Sequence, residues 1–311
     1  MHITVAICTW NRCELLNKTL MRMHQLVVPK GISWELLIID NNCTDATGAV
    51  IDQHQNSLPI RRIVEEKQGH SYARNRALME CESDWLIYTD DDVLVSLEWL
   101  VNYVDAISNA SEDCGILGGP IEPWFEIEPN VDLVKGIPVV GDGFCGKTVP
   151  ADLVITKHSE SLPFGANFGI RKSLVKGMRF DTNLGLKKGS RVVGEETEFM
   201  RRLLENGTQG LWVTKAMVKH WIPRQRIMLA SVARHLFGLG RTSAILRAHN
   251  NLEERTNPIV ARWMYRQLLE SLILLMWNLG FGKKVSFYKN FGTFCYYSGY
   301  LREALLSKRR N

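Results

Sequence analysis

Four short runs near the start of the chain, three of them apolar and each closed by a cluster of polar side chains, limit its fold more than any other feature. Residues 3–8, 34–39, 60–64 and 85–89 are too short for buried helices and rich in β-branched and aromatic types, so each reads as a strand. Amphipathic stretches fill the intervals. Asn11-Arg-Cys-Glu14 has the pattern of a capping box and opens a helix with Leu15, Leu16, Thr19, Leu20 and Met23 on one face. A second helix is expected behind a Thr44 cap, and a third follows Gly69 through residues 72–81. Strand, loop and helix recurring at this spacing describe an α/β fold, a mostly parallel sheet flanked by helices with right-handed crossovers.

The polar clusters sit where such a sheet binds ligands. Thr9-Trp10-Asn11-Arg12, Asp40-Asn41-Asn42, Gln68-Gly69-His70 and Asp90-Asp91-Asp92 each follow a strand. In open parallel sheets ligands bind beyond the carboxyl ends of the strands, so four loops converge on one crevice. Any one of them is also ordinary turn chemistry; four together point to a site. Three adjacent carboxylates repel one another unless a cation sits among them. Their oxygens suit Mg²⁺ or Mn²⁺, ions that commonly hold phosphate as well. Alone, the triplet also fits a solvated acidic turn. Free N–H groups at a helix start, with Arg12 or Arg74, would serve a phosphate. The absence of G-x-x-x-x-G-K-[ST] and of G-x-G-x-x-G after the first strand argues against a P-loop NTPase and a dinucleotide-dependent dehydrogenase.

Charge separates the chain into unlike parts. Residues 215–311 hold 17 Lys/Arg against 4 Asp/Glu, leaving 21 against 29 in residues 1–214. The basic part is expected to face something anionic, and with no nucleic-acid-reading module an anionic membrane surface is favoured over nucleic acid. Residues 262–279 are strongly apolar, yet the nearly unbroken stretch 271–281 is shorter than the ~20 residues that span a bilayer. Lys283, Lys284 and Lys289 flank it, and Lys308-Arg309-Arg310 ends the sequence. An interfacial element on an inner leaflet, a helical pair packed on the rest of the chain, or a dimer contact would each explain this pattern. Seven scattered cysteines without metal-type spacing, and a first strand with no basic-then-apolar leader, suggest a reducing, cytoplasmic setting.

Further along, Glu195-Glu196-Thr-Glu198 runs into an amphipathic helix, placing carboxylates at a helix N-terminus. Residues 183–194, with three glycines and three basic residues, are a candidate closing loop or a plain exposed one. Residues 119–165 hold six of the ten prolines together with Trp124, read as a core residue or as a sugar-stacking aromatic.

With these residues assembled, the chain resembles a family 2 glycosyltransferase of the GT-A fold, of the bacterial polysaccharide-building type. The resemblance rests on Val5-Ala-Ile-Cys-Thr-Trp-Asn-Arg12, Leu37-Ile-Ile-Asp-Asn-Asn42, Gly69-His-Ser-Tyr-Ala-Arg-Asn75, Asp90–Asp92 and Gly194-Glu-Glu-Thr-Glu198. It implies inverting transfer of a sugar from a nucleoside diphosphate, with UDP favoured, to a hydroxyl of a glycan or lipid-linked acceptor. A divalent metal, Mn²⁺ or Mg²⁺, is implied with it. Residue by residue, Thr9, Asn11, Arg12, Asp40, Asn42, Gly69, Arg74, Asp90 and Asp91 match donor-side positions. Asp92 and Asp90 match the metal-binding D-x-D motif, with His220 a further metal or diphosphate ligand. Glu196 matches the base, although Glu stands here where Asp is usual, which leaves Glu195 open as well. Trp124 and Asn167 fall on the acceptor side. The organisation implied is a nucleotide-sugar half (1–118), an acceptor and base half (119–226), and a basic helical region (227–311) at the inner face of the membrane. A sugar nucleotidyltransferase would need a lysine-bearing activation loop, which Trp10-Asn-Arg-Cys does not offer. A non-catalytic, membrane-associated nucleotide-binding module is the remaining alternative.

Overall fold

A computed structural model describes residues 1–149, 151–187, 192–253 and 262–307. The strands are β1 (His2–Thr9), β2 (Ser33–Asp40), β3 (Ile60–Val64), β4 (Trp85–Asp90), β5 (Val93–Val95), β6 (Cys114–Gly118), β7 (Ile121–Phe125), β8 (Val154–Ile155), β9 (Asn167–Arg171), β10 (Gln209–Trp212) and β11 (Val218–Ile222). The helices are α1 (Cys13–Met23), α2 (Thr47–His54), α3 (His70–Glu80), α4 (Trp99–Asn109), α5 (Val131–Gly136), α6 (Lys172–Val175), α7 (Glu195–Glu205), α8 (Leu229–Glu253), α9 (Arg262–Gly280) and α10 (Lys284–Ser307).

The chain forms two compact units. The first comprises residues 1–124, 145–182 and 195–221. Its main sheet has the order β3-β2-β1-β4-β9-β6-β10-β8. The four strands read from sequence lie together and parallel, β1 pairing with both β2 and β4. Parallel strands need crossovers, and α1, α2 and α3 supply them. β9 enters antiparallel between β4 and β6. A small sheet, β5-β11-β7, lies apart from this one in pairing. Strands buried on both faces are largely apolar: in β1, Ile3, Val5, Ala6 and Ile7 have no accessible surface. The core continues through Tyr88, Phe168, Phe180 and Phe199, with Tyr88 stacked on Phe168 at 4.8 Å between ring centroids and Phe180 on Phe199 at 4.2 Å.

Two expected helix caps are replaced. Neither Asn11 nor Thr44 caps a helix; the Asn11 carboxamide instead accepts from Thr44 N–H at 2.7 Å. One carboxylate serves both helix starts, Asp45 accepting from the N–H of Cys13 at 3.1 Å and of Thr47 at 3.0 Å. An acidic group near two helix N-termini favours both.

The second unit comprises residues 125–144, 183–194 and 222–311, so it takes in two segments besides the helical region expected from residue 227. α10 packs against α8, α9 and α5. Gly240 of α8 and Gly299 of α10 let those two helices approach closely, since a Cβ at either would overlap the other helix's backbone. Met264, Tyr300, Leu301 and Ala304 form its core with Ala244. Lys308-Arg309-Arg310, and residues 188–191 of the candidate closing loop, lie outside the described residues.

Candidate active site

The triplet at the end of β4 divides into unlike roles. Asp91 turns inward, where Thr9 Oγ1 donates to its Oδ2 at 2.8 Å and Arg12 Nη1 to its Oδ1 at 2.9 Å. The same Arg12 nitrogen donates to Asp92 Oδ2 at 2.8 Å. Burial, followed by the neighbouring Asp92 charge, pushes the Asp91 carboxyl up to about 6 despite Arg12. Thr9, Arg12 and Asp91 therefore tie the loop after β1 to the triplet. These bonds use only Nη1 of Arg12, whose side chain is 46% exposed, so the rest of its guanidinium is available to a ligand.

Asp90 and Asp92 face His220, carried on β11. His220 Nε2 lies 3.3 Å from Asp92 Oδ1 and 3.8 Å from Asp90 Oδ2. Burial alone would raise Asp90's pKa, but His220, His70 and Arg74 outweigh it and hold the carboxyl well below its usual range. Two observations fit a divalent cation. Donor atoms of Asp90, Asp92 and His220 all lie within 4.8 Å of one another. Asp92 Oδ1 is buried and accepts no hydrogen bond. Nδ1 of His220 sits 3.0 Å from the Trp221 carbonyl, which holds the ring and leaves Nε2 toward the carboxylates, the arrangement of a metal-ligating histidine.

A second acidic centre stands at the start of α7. Glu195 is buried and faces Arg74 Nη1 at 2.7 Å and His70 Nδ1 at 3.2 Å. Burial opposes its ionisation, yet Arg74 and His70 bring its carboxyl down to about 2. Glu196, 3.5 Å from Arg74, moves the other way, because burial and the Glu195 charge raise it. Arg74 corrects the sequence reading. It is 2% exposed and enclosed by the rings of Tyr88, Phe168 and Phe180, so it is a buried counter-charge to the glutamates and offers no open face to a donor. Gly165 makes room for it; a Cβ there would overlap the guanidinium. His70 belongs to the Gly69–Asn75 motif and stands beside Glu195. It lies one helical turn before Arg74, so the i, i+4 spacing was the available signal.

Other expected residues fall as follows. Asp40 is buried, accepting from Cys43 N–H at 2.9 Å and from Arg62 Nη2 at 2.6 Å. Asn11 and Asn42 are exposed, both with backbone in the left-handed region, which asparagine tolerates. Gly69 donates its N–H to Asn41 Oδ1 at 2.9 Å, while Asn41 Nδ2 bonds the carbonyls of Glu65 and Lys67. Asn41, unassigned from sequence, is thus the cross-tie between the loops after β2 and β3.

Asn167 is a correction. It has no accessible surface, and its carboxamide is filled by Trp99 Nε1, Tyr103 Oη and the carbonyls of Pro120 and Ala216, at 2.7–3.0 Å. It has no bond left for a sugar hydroxyl. Asn167→Ala should cost at least about 2 kcal/mol in urea unfolding, since it orphans several buried groups. Unchanged stability with a raised acceptor KM would restore the acceptor role. Trp124, by contrast, is 41% exposed, edge-on to Trp221 at 4.7 Å, and shares a cleft with Asp92 and Lys18.

Comparison with known proteins agrees with this geometry. Residues 4–132 match the profile of "Glycosyl transferase family 2". The succinoglycan biosynthesis protein ExoM of Rhizobium meliloti is 26% identical over 80% of this chain and 76% of its own length. Among solved structures, the mannosyltransferase PcManGT from Pyrobaculum calidifontis, in complex with GDP-Man and Mn²⁺, superposes with a TM-score of 0.61. It is 16% identical, over 99% of this chain and 86% of that one. S. aureus TarS 1–349 in complex with UDP-GlcNAc superposes with a TM-score of 0.55 at 14% identity, covering 100% and 92%. Residues 4–132 thus resemble glycosyl transferase family 2, and the fold of the chain is the GT-A fold of those neighbours.

Proposed function

We propose that this chain is an inverting, metal-dependent transferase. Its substrates would be a nucleoside-diphosphate sugar, UDP-linked in preference, and a hydroxyl of a glycan or lipid-linked acceptor in extracellular or surface polysaccharide synthesis. One observation carries the reading: Arg74 and His70, which hold Glu195 at 2.7 and 3.2 Å, also act electrostatically on Asp90. The carboxylate cluster that fits a cation and the acidic pair thus share the same charged neighbours, which supports treating them as one site. ExoM's part in succinoglycan biosynthesis supports the polysaccharide context, and the bound nucleotide sugars of PcManGT and TarS support the donor class.

Glu196 is the base in this proposal. Of the two glutamates, Glu195 is held at about 2 and is too weak a proton acceptor. Glu196 has its pKa raised, nearer the value at which a carboxylate both ionises and accepts a proton well. It takes the acceptor hydroxyl's proton as that oxygen bonds the anomeric carbon. The bond from that carbon to the diphosphate breaks in the same step, and the diphosphate leaves with the electron pair. A single displacement inverts the anomeric centre. Asp90, Asp92 and His220 would hold the divalent ion, which supplies Lewis-acid stabilisation to the diphosphate when bound. His70, at the N-terminus of α3, sets its ring beside Glu195, with Nδ1 3.2 Å from Oε1. Trp124, exposed in its cleft, would stack on an acceptor ring.

Thermal-shift measurements with nucleoside diphosphates and their sugar conjugates, with and without Mn²⁺, test this proposal. Stabilisation by a nucleotide is expected only with the metal, and Asp92→Ala should abolish it. Ligand stabilisation grows as RT ln(1 + [L]/Kd), so a hundredfold excess over Kd adds about 2.7 kcal/mol. Metal-independent stabilisation, or none with any nucleotide, would refute the assignment.

A further inference from the structure

Helix α9 is built inside out. Its buried positions recur every seventh residue, at Met264, Ser271 and Asn278. The two polar ones bond their own helix, Ser271 Oγ donating to Leu268 O at 2.8 Å and Asn278 Nδ2 to Leu274 O at 2.6 Å. On the opposite side Leu269, Leu272, Ile273 and Met276 follow the i, i+3, i+4, i+7 spacing with which a helix normally buries a face. Here that face is open: Leu269 is 59% exposed and Met276 67%. Trp277 and Phe281 extend it toward the turn into α10. Soluble monomers rarely leave contiguous apolar surface of this extent uncovered.

The fringe of this face is positive. Residues 262–289 contain five Lys/Arg and a single acidic residue, Glu270, which is paired with Arg266 at 2.5 Å. Lys283, Lys284 and Lys289 are exposed beside the turn, and residues 271–281 carry no charge. No helix among the described residues is long and apolar enough to cross a membrane.

We infer that α9 lies in the surface of a bilayer bearing anionic headgroups. The Leu269–Met276 face enters the acyl boundary, and the three lysines reach the headgroup phosphates. Charge complementarity selects this occupant. In a two-fold symmetric contact with a second copy, the same patch meets itself and the basic fringes repel. The inference is independent of the donor chemistry, since it rests on a different part of the chain.

The test is co-sedimentation of the full-length protein with vesicles of phosphatidylcholine alone and of phosphatidylcholine mixed with phosphatidylglycerol, alongside light scattering. The protein should sediment with the anionic vesicles and be released by salt. Replacing Lys283, Lys284 and Lys289 with Gln should weaken that binding by on the order of a hundredfold. Leu269→Glu/Met276→Glu should abolish it, while circular dichroism and the Mn²⁺-dependent thermal shift stay unchanged. Vesicle binding that survives the double variant would overturn the assignment. So would a protein that ignores both vesicle types, including one that forms a dimer dissociated by the double variant.

Discussion

Glu196→Gln is expected to slow sugar transfer by about 10²–10⁴-fold, the range a positioned base contributes, with donor binding and folding intact. Glutamine keeps the shape and removes the proton acceptor. The side chain's raised pKa gives a second signature. The rate in the native enzyme should fall as pH drops through that raised value, because the ionised form is the active one. The residual rate of the glutamine variant should lack this limb. Glu195→Gln is the informative contrast: its carboxylate is a weak base engaged with Arg74, so its loss should register in stability first. A Glu195→Gln enzyme that keeps its stability but loses transfer as completely as Glu196→Gln would reverse the two roles.

Arg74→Met should destabilise the chain by about 3–5 kcal/mol, the usual consequence of leaving a buried charge without its partner. The orphaned group is Glu195, 2.7 Å from the guanidinium. Adding Glu195→Gln to Arg74→Met should recover much of that loss, because the uncompensated charge is then gone. Acid titration provides a check with a definite sign. The Glu195 carboxyl drops from 4.5 to about 2 on folding, so its stabilising contribution is complete above about 4.5 and disappears as pH falls toward 2. Native protein should lose stability through that window, and the double variant should show less of this dependence. An Arg74→Met variant of native stability would mean the guanidinium is not needed where it lies.

Three of the parallel strands were legible because their apolar runs are short and bounded; the fourth, Ile60–Val64, carries two arginines and still matches its strand to the residue. The carboxylates were legible because adjacent like charges demand an explanation. What stayed hidden depends on partners distant in the chain. Asn167 next to a glycine and an alanine looks like a turn; only Trp99, Tyr103 and two carbonyls make it a buried hub. Arg74 looks like a phosphate ligand until Glu195 and Gly165 close on it. Asp45, which serves two helix starts, was overshadowed by its neighbour Thr44, and its reach to Cys13 depends on a residue 32 positions away. The apolar spacing in α9 was visible, but not that its polar residues point inward.

The antiparallel entry of β9 has a consequence for biogenesis. β4, which ends in the acidic triplet, pairs with β1 on one side and with β9 on the other. Until residues 167–171 leave the ribosome, that flank of the nascent sheet is an unprotected edge, the kind of surface that recruits other chains. Completion of the parallel half of the sheet therefore waits on a segment made long after it, and a truncation before β9 should yield an aggregating fragment in place of a smaller folded one.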